Sequence, residues 1–157
     1  MTHPNAALID RFYQAFGRRD AAAMAACYHA DATFSDPVFQ GLKGKEPGAM
    51  WQMLCERGKD LKVVYSGVRA DDRTGNAHWD ATYTFGPTGR AVLNKIDATF
   101  TFKDGKILDH KDQFDLWRWS RQALGPIGLL LGWSPLVANK IRKTARQGLD
   151  DYLTRRA

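Results

Sequence analysis

An α+β fold, with helices packed on one face of a curved antiparallel sheet, is predicted by three features of this sequence. The first third carries apolar side chains at helical spacing. The stretch from about residue 60 to 117 alternates apolar and polar residues at period two, and two turn signals cut it into neighbouring strands. With 157 residues, the chain is long enough for one domain with a substantial core.

Residues 4–16 place Leu8, Ile9, Phe12 and Phe16 on one side of a helix that Gly17 should stop. Asp20 is a natural N-cap for a second helix, whose apolar members include Met24, Cys27 and Tyr28. A short strand over 32–35 runs into Asp36-Pro37. A third helix begins near Lys45, with Pro47 in its first turn and Trp51 and Leu54 on its buried side. Four strands follow, at about 60–70, 76–85, 90–102 and 106–117. In the second of them Ala77, Trp79, Ala81, Tyr83 and Phe85 alternate with His78, Asp80, Thr82 and Thr84.

Turn chemistry sets the expected register. Asp104-Gly105 is a favoured two-residue hairpin turn, which pairs Lys103 with Lys106. Counting back from that pair puts Asp97 opposite Asp112 and Thr99 opposite His110. Gly86-Pro87-Thr88-Gly89 reads as a four-residue hairpin loop, so His78 should face Asp97 and Asp80 should face Lys95. Opposed side chains lie about 4.5–5.5 Å apart at Cβ. Two carboxylates that close repel, and one of Asp97 and Asp112 is expected to have the raised pKa of a general acid or base. The same polar alternation also fits a solvated sheet face, with Lys95 in an ordinary surface ion pair. Like charges set directly opposite, among Leu93, Leu108, Phe114 and Leu116, argue instead for partial burial. The other face, with Trp79, Tyr83, Ile96, Phe100 and Phe102, needs a cover. The matching sheet of a second copy in a homodimer is the preferred cover, and the folded-back tail is the alternative.

Composition excludes several classes. No basic segment followed by an apolar stretch opens the chain, so a secretory signal is not expected. The apolar patch over 123–137 is broken by Pro126, Gly132 and Pro135. Cys27 and Cys55 lack metal or redox spacing and read as free buried thiols of a cytoplasmic protein. Up to Leu116, fifteen Lys and Arg balance fifteen Asp and Glu, so the net charge of +6 comes entirely from the tail. That is not the footprint of a nucleic-acid-binding domain. No Gly-rich nucleotide fingerprint implies a cofactor, and no serine sits on a nucleophile elbow. His78, His110, Asp97 and Asp112 form no compact ligand motif, and Lys95 beside them would oppose a cation, so no metal is expected.

After two helices, YHADATFSDPVFQGLKGKE resembles the opening of the SnoaL-like and ketosteroid-isomerase-like families of the nuclear-transport-factor-2-like superfamily, and GKILDHKDQFDLW resembles their last strand. The resemblance covers roughly residues 5–117. It implies a cone-shaped α+β barrel with an interior pocket for a small hydrophobic ligand. Residues 1–117 would be that cone domain, and 118–157 a basic helical extension of the same domain.

The resemblance also implies site residues. Asp36 falls at the proton-shuttling aspartate of the isomerases, although an Asp-Pro pair is also a common turn-former. Asp97 falls at their neutral, hydrogen-bond-donating aspartic acid. Lys95, Asp97, His110, Asp112 and Phe114 would face the pocket, with Phe12, Tyr28, Phe34, Trp51 and His78 as further ligand contacts. The isomerases' oxyanion tyrosine corresponds to Phe12, and Tyr13 lies about 100° round the helix, so steroid isomerisation is not expected. Limonene-epoxide-hydrolase-like members carry an Asp-Arg-Asp triad. Here Asp97, Lys95 and Asp112 would take its place, but lysine cannot bridge two carboxylates bidentately. The polar pair that holds water in that family corresponds to Phe34 and Asp36. SnoaL-like cyclases use an aspartate base with a nearby histidine, for which Asp112 with His110 or His78 qualifies.

In the tail, Ser134-Pro135 should start a final helix with Val137, Ile141, Leu149 and Tyr152 as its apolar stripe. GPIGLLLGW before it is expected to close the pocket mouth or a dimer edge. Peripheral attachment to an anionic membrane is the less favoured alternative. The expected function is cofactor-independent acid–base catalysis on a carbonyl- or epoxide-bearing compound, with Asp36 or Asp112 as base, Asp97 as donor, and Lys95 and His110 tuning charge. The competing expectation is a non-catalytic binding or accessory domain.

Overall fold

Two hairpins build the centre of the fold, and both turns form as their residues dictate. In the computed structural model, which describes residues 2–131 and 134–156, β4 (Thr74–Phe85) pairs with β5 (Arg90–Lys103), and β5 pairs with β6 (Lys106–Gln113). Asp104 and Gly105 both take positive φ, 53° and 74°, as a two-residue hairpin turn requires. The Gly86–Gly89 loop sets His78 against Asp97 and Asp80 against Lys95, in the expected register.

β3 (Lys62–Ala70) adds to β4. At the other edge β1 (Tyr28–Ser35) lies parallel to β6, and the two-residue β2 (Leu42–Lys43) pairs with β1. The result is one open six-stranded sheet, ordered β2-β1-β6-β5-β4-β3, that is mixed rather than wholly antiparallel. α1 (Pro4–Gly17), α2 (Ala21–Ala26, capped by the Asp20 carboxylate) and α3 (Glu46–Arg57) cover one face. The architecture is therefore an α+β cone with helices inside its curve and a helical C-terminal extension.

The β5–β6 ladder departs from simple counting. Phe102 pairs with Ile107 but Thr101 pairs with Asp109, leaving Leu108 as a bulge. Beyond it Ala98 faces Asp112, Phe100 faces His110 and Asp97 faces Gln113. The expected pairs Asp97–Asp112 and Thr99–His110 are thus each off by one residue. One residue of slip sends a side chain to the opposite face. An unbroken ladder would have set Asp109, Lys111 and Gln113 among Phe100, Ala98 and Ile96, which is why the bulge wins.

The covered face is also the reverse of the one expected. Trp79, Ile96 and Phe100 are buried in the main core, where Trp79 meets the rings of Tyr13, Phe16 and Trp51 and Phe100 meets Tyr13 edge-on, while Lys95 and Asp97 are exposed. The apolar patch invoked for a homodimer is the concave core face, so it gives no reason for a second copy. The last strand stops at Gln113, and Leu116 opens α4 (Leu116–Leu124), with α5 (Pro126–Leu131) and α6 (Pro135–Arg156) after it. Gly132 and Trp133 of GPIGLLLGW lie outside the described residues.

α4 packs against β5 and the end of β4. Trp119 meets Phe85 edge-on, with ring centroids 5.3 Å apart, and its indole N–H donates to the Tyr83 hydroxyl at 2.6 Å. α6 runs back along α3, where Leu149 and Tyr152 join the main core. Among the described residues no helix is long and apolar enough to cross a membrane.

Candidate active site

Two of the expected polar residues, His110 and Asp112, enter the concave core because the Leu108 bulge turns them inward. They are 0% and 2% exposed. Burying an imidazole and a carboxyl there is costly unless both are hydrogen-bonded. A continuous chain meets the need. Trp51 Nε1 donates to the Tyr28 hydroxyl at 2.8 Å, Tyr28 Oη lies 2.8 Å from His110 Nδ1, and His110 Nε2 lies 2.9 Å from Asp112 Oδ1.

One proton assignment satisfies every member. The tyrosine donates to Nδ1, and Nε2–H donates to an Asp112 carboxylate, leaving a neutral imidazole. Burial raises the Tyr28 hydroxyl well above the ordinary tyrosine range, which keeps that donor protonated. Phe12, Tyr28, Phe34, Trp51 and Phe100 surround the imidazole with ring centroids between 4.4 and 6.1 Å away. The four pocket residues expected at Phe12, Tyr28, Phe34 and Trp51 thus form the wall around His110. Phe114 is partly buried and packs against both the main core and the α4 cluster.

Asp36 follows β1 and is both a turn-former and a member of the interior. Its Oδ1 accepts from the backbone N–H of Val38 at 2.7 Å and of Phe39 at 2.6 Å, fixing the turn at Pro37. Burial pushes its carboxyl up to about 7 against the pull of those two donors, and the nearby Asp112 charge adds to the rise. The residue as a whole keeps a small exposed surface. The second carboxyl near Asp112 is therefore Asp36, whose own rise includes the Asp112 charge, and Asp97 lies on the other face of the sheet.

His78, Asp80, Lys95 and Asp97 belong to the outer face. His78 bridges Asp97 through Nδ1 and Asp80 through Nε2, both at 2.8 Å. The hydrogen bond to Asp97, with Asp80 in support, raises the imidazole above its usual value. This is a solvated triad on the back of the sheet, and the expected convergence of Lys95, Asp97 and Asp112 does not form. Nor do His78, Asp97, His110 and Asp112 converge on one point, and no metal-ligand cluster is found among the described residues.

Three interior groups were missed in sequence. The Tyr13 hydroxyl, 1% exposed, has no hydrogen-bond partner among the described residues, and neither has the Trp79 indole N–H. Their rings lie 6.2 Å apart, and the Asp112 charge, after burial, helps to raise the Tyr13 hydroxyl. Tyr13 thus points into the core beside Phe12 despite its 100° offset on the helix. Asn94, opposite Ala81, follows the inward alternation of Val92 and Ile96. The clue was parity: Trp79, Ala81, Tyr83, Val92 and Ile96 mark one continuous apolar face that includes Asn94. A separate cleft of about 590 Å³, lined by Arg90, Ala91, Arg118, Arg121 and Gln122, holds none of these groups.

Residues 9–110 match the SnoaL-like domain model, well over half the chain. Nothing among curated proteins matches. A candidate SnoaL-like polyketide cyclase from Jannaschia sp. CCS1 superposes with a TM-score of 0.68 at 18% identity, covering 78% of this chain and 93% of its own. An epoxide hydrolase of M. tuberculosis, resembling limonene epoxide hydrolase, gives 0.63 at 19% identity over 88% and 98%. A nuclear-transport-factor-2-like protein of unknown function from Burkholderia pseudomallei gives 0.63 at 16% over 73% and 92%. At these identities the likeness is one of fold.

Proposed function

Because the chain belongs to the SnoaL-like domain family, we propose that its concave interior binds a small hydrophobic, carbonyl-bearing molecule and moves a proton on it without a cofactor. Asp112 is the general base, Asp36 the general acid, and the Tyr13 hydroxyl and Trp79 indole N–H are donors to the substrate oxygen. One observation carries the reading: an acid with its pKa pushed up to about 7 shares the interior with a second carboxyl aligned by a buried histidine. Groups whose environments differ in this way can divide acid and base roles.

In that reading Asp112 removes a proton from carbon next to the carbonyl. The developing oxyanion accepts from Tyr13 and Trp79, and Asp36 delivers a proton to the product. His110 is a positioning residue, since aromatic rings and the two hydrogen-bond partners enclose it. Epoxide opening of the limonene-epoxide-hydrolase type is less favoured, because Lys95 and Asp97 lie on the far face of the sheet from Asp112. A non-catalytic binder is the second reading, favoured by the aromatic packing around His110.

The test is hydrogen–deuterium exchange into a panel of β-dicarbonyl aromatic compounds in D₂O, followed by mass spectrometry. The wild type should accelerate exchange. Asp112→Asn and Asp36→Asn should each lose about 10²–10⁴-fold, and Asp97→Asn should match wild type. Binding of panel members with no exchange would establish the binder instead.

A further inference from the structure

The tail displays its apolar side chains outward. Of the seven large hydrophobic residues that are exposed among those described, five fall in α4, α5 and the start of α6: Trp117, Ile127, Leu129, Leu130 and Leu136. Ile127, Leu129 and Leu136 are 63%, 52% and 81% exposed. A specific contact fixes this display. Gly128 is buried against the Ser120 carbonyl so closely that any Cβ would collide with it, and the Trp117 indole N–H reaches the Leu129 carbonyl at 3.4 Å. With Gly128 facing down onto α4, its neighbours in α5 face out.

Beside this tip lies the cleft lined by Arg90, Arg118 and Arg121. None of the three guanidiniums pairs with a carboxylate among the described residues. Arg90 Nε donates to the Gln122 carbonyl at 2.8 Å, Arg121 stacks over Trp117 at 4.3 Å, and Arg121 Nε is buried without a hydrogen-bond partner. Lys140 and Lys143 follow Leu136 along the exposed side of α6. An apolar tip, an adjoining tryptophan and a ring of unpaired cations match the layers of a bilayer surface: acyl chains, interface and phosphate.

We propose that the α4–α5 hairpin docks this protein onto anionic membranes. Ile127, Leu129 and Leu136 enter the acyl boundary, and Arg90, Arg118 and Arg121 engage lipid phosphates. A second copy is the poorer occupant, since a two-fold contact would bring the same arginines face to face. The net charge of +6, all of it from the tail, favours an acidic surface as well.

Vesicle flotation with the full chain tests this. Wild type should float with phosphatidylcholine vesicles containing 30% phosphatidylserine and stay behind with pure phosphatidylcholine, and 0.5 M NaCl should release it. Ile127→Glu with Leu129→Glu, both on exposed positions, should weaken binding at least 10-fold at an unchanged melting temperature. Arg90→Ser with Arg118→Ser should cost roughly 10–30-fold, at a fewfold per surface charge. Equal binding to neutral vesicles, or none to anionic ones, overturns the proposal. So does a dimer in sedimentation that the glutamate pair dissolves, or inorganic phosphate binding in the cleft without any flotation.

Discussion

His110 Nε2 lies 2.9 Å from Asp112 Oδ1, with both side chains sealed from solvent and only Lys111 between them in sequence. The two reach one another because alternation puts residues i and i+2 on the same side of a strand. The Asp112 carboxylate can only accept, so the hydrogen sits on Nε2, and the Tyr28 hydroxyl on the far side donates to the bare Nδ1. The result is a carboxyl whose direction is set by a chain of bonds reaching back to Trp51 on α3.

Removing the middle of that chain should be expensive. Tyr28→Phe keeps the ring but leaves Trp51 Nε1 and His110 Nδ1 as buried groups without partners, so it should destabilise the fold by about 2–3 kcal/mol. A urea midpoint shift at constant m-value measures it. Imidazole ¹⁵N shifts give the second readout. The wild type should show a neutral ring protonated at Nε2, and the variant should keep that hydrogen while its Nδ1 resonance moves as the Tyr28 donor is lost. A wild-type ring protonated at Nδ1 alone would sink the assignment.

Asp36 makes stability depend on pH. The folded carboxyl holds its proton to about pH 7, against 3.8 for the free side chain. Between those values the folded state binds more protons than the unfolded state, so stability falls as pH rises. The contribution is complete below about pH 4 and gone above about pH 7. Three pH units correspond to at most about 4 kcal/mol, and the residue's partial exposure lowers this toward about 2. Urea midpoints from pH 4.5 to 8 should show the decline in wild type, and Asp36→Asn should flatten it. A wild-type curve that rises with pH over this window would be contrary to a buried, protonated Asp36.

Local chemistry made most of the fold legible. Asp20 as a cap, Pro47 in a first turn, the Asp104-Gly105 turn and Ser134 before the last helix all act as their side chains require; the Ser134 hydroxyl accepts from Leu136 N–H at 3.2 Å. The site was half legible. His110 and Asp112 lie in the concave core with Asp36 electrostatically near, whereas Lys95, Asp97 and His78 lie on the outer face. One bulged residue, Leu108, separates the two outcomes, and a count from a turn carries any bulge forward as an error in face. The warning was present: unbroken counting seats Lys111 opposite Ala98, in the middle of the apolar stripe. The tail's packing was less accessible, since α5 is six residues long and its orientation depends on how Gly128 meets α4.

α6 should prove part of the domain rather than an appendage, and it should act on the Asp36 turn. Leu149 is fully buried in the main core, the Tyr152 hydroxyl donates to Glu56 at 2.9 Å, and Arg146 pairs with Glu46, so three successive turns of α6 grip α3. One turn earlier Arg142 Nε donates to the Pro37 carbonyl at 2.8 Å, next to Asp36. Leu149→Ala leaves a cavity and should cost about 2–5 kcal/mol. A chain cut after residue 117 should show no cooperative urea transition, because it uncovers the core faces that α4 and α6 bury. Arg142→Met should change stability by less than about 1 kcal/mol, since it removes one partly exposed bond. It should nonetheless speed amide exchange at Val38 and Phe39, whose N–H groups bind Asp36 Oδ1 and depend on that turn staying closed. Cooperative unfolding of the truncated chain, or unchanged exchange in Arg142→Met, would mean that the cone holds its own acid in place.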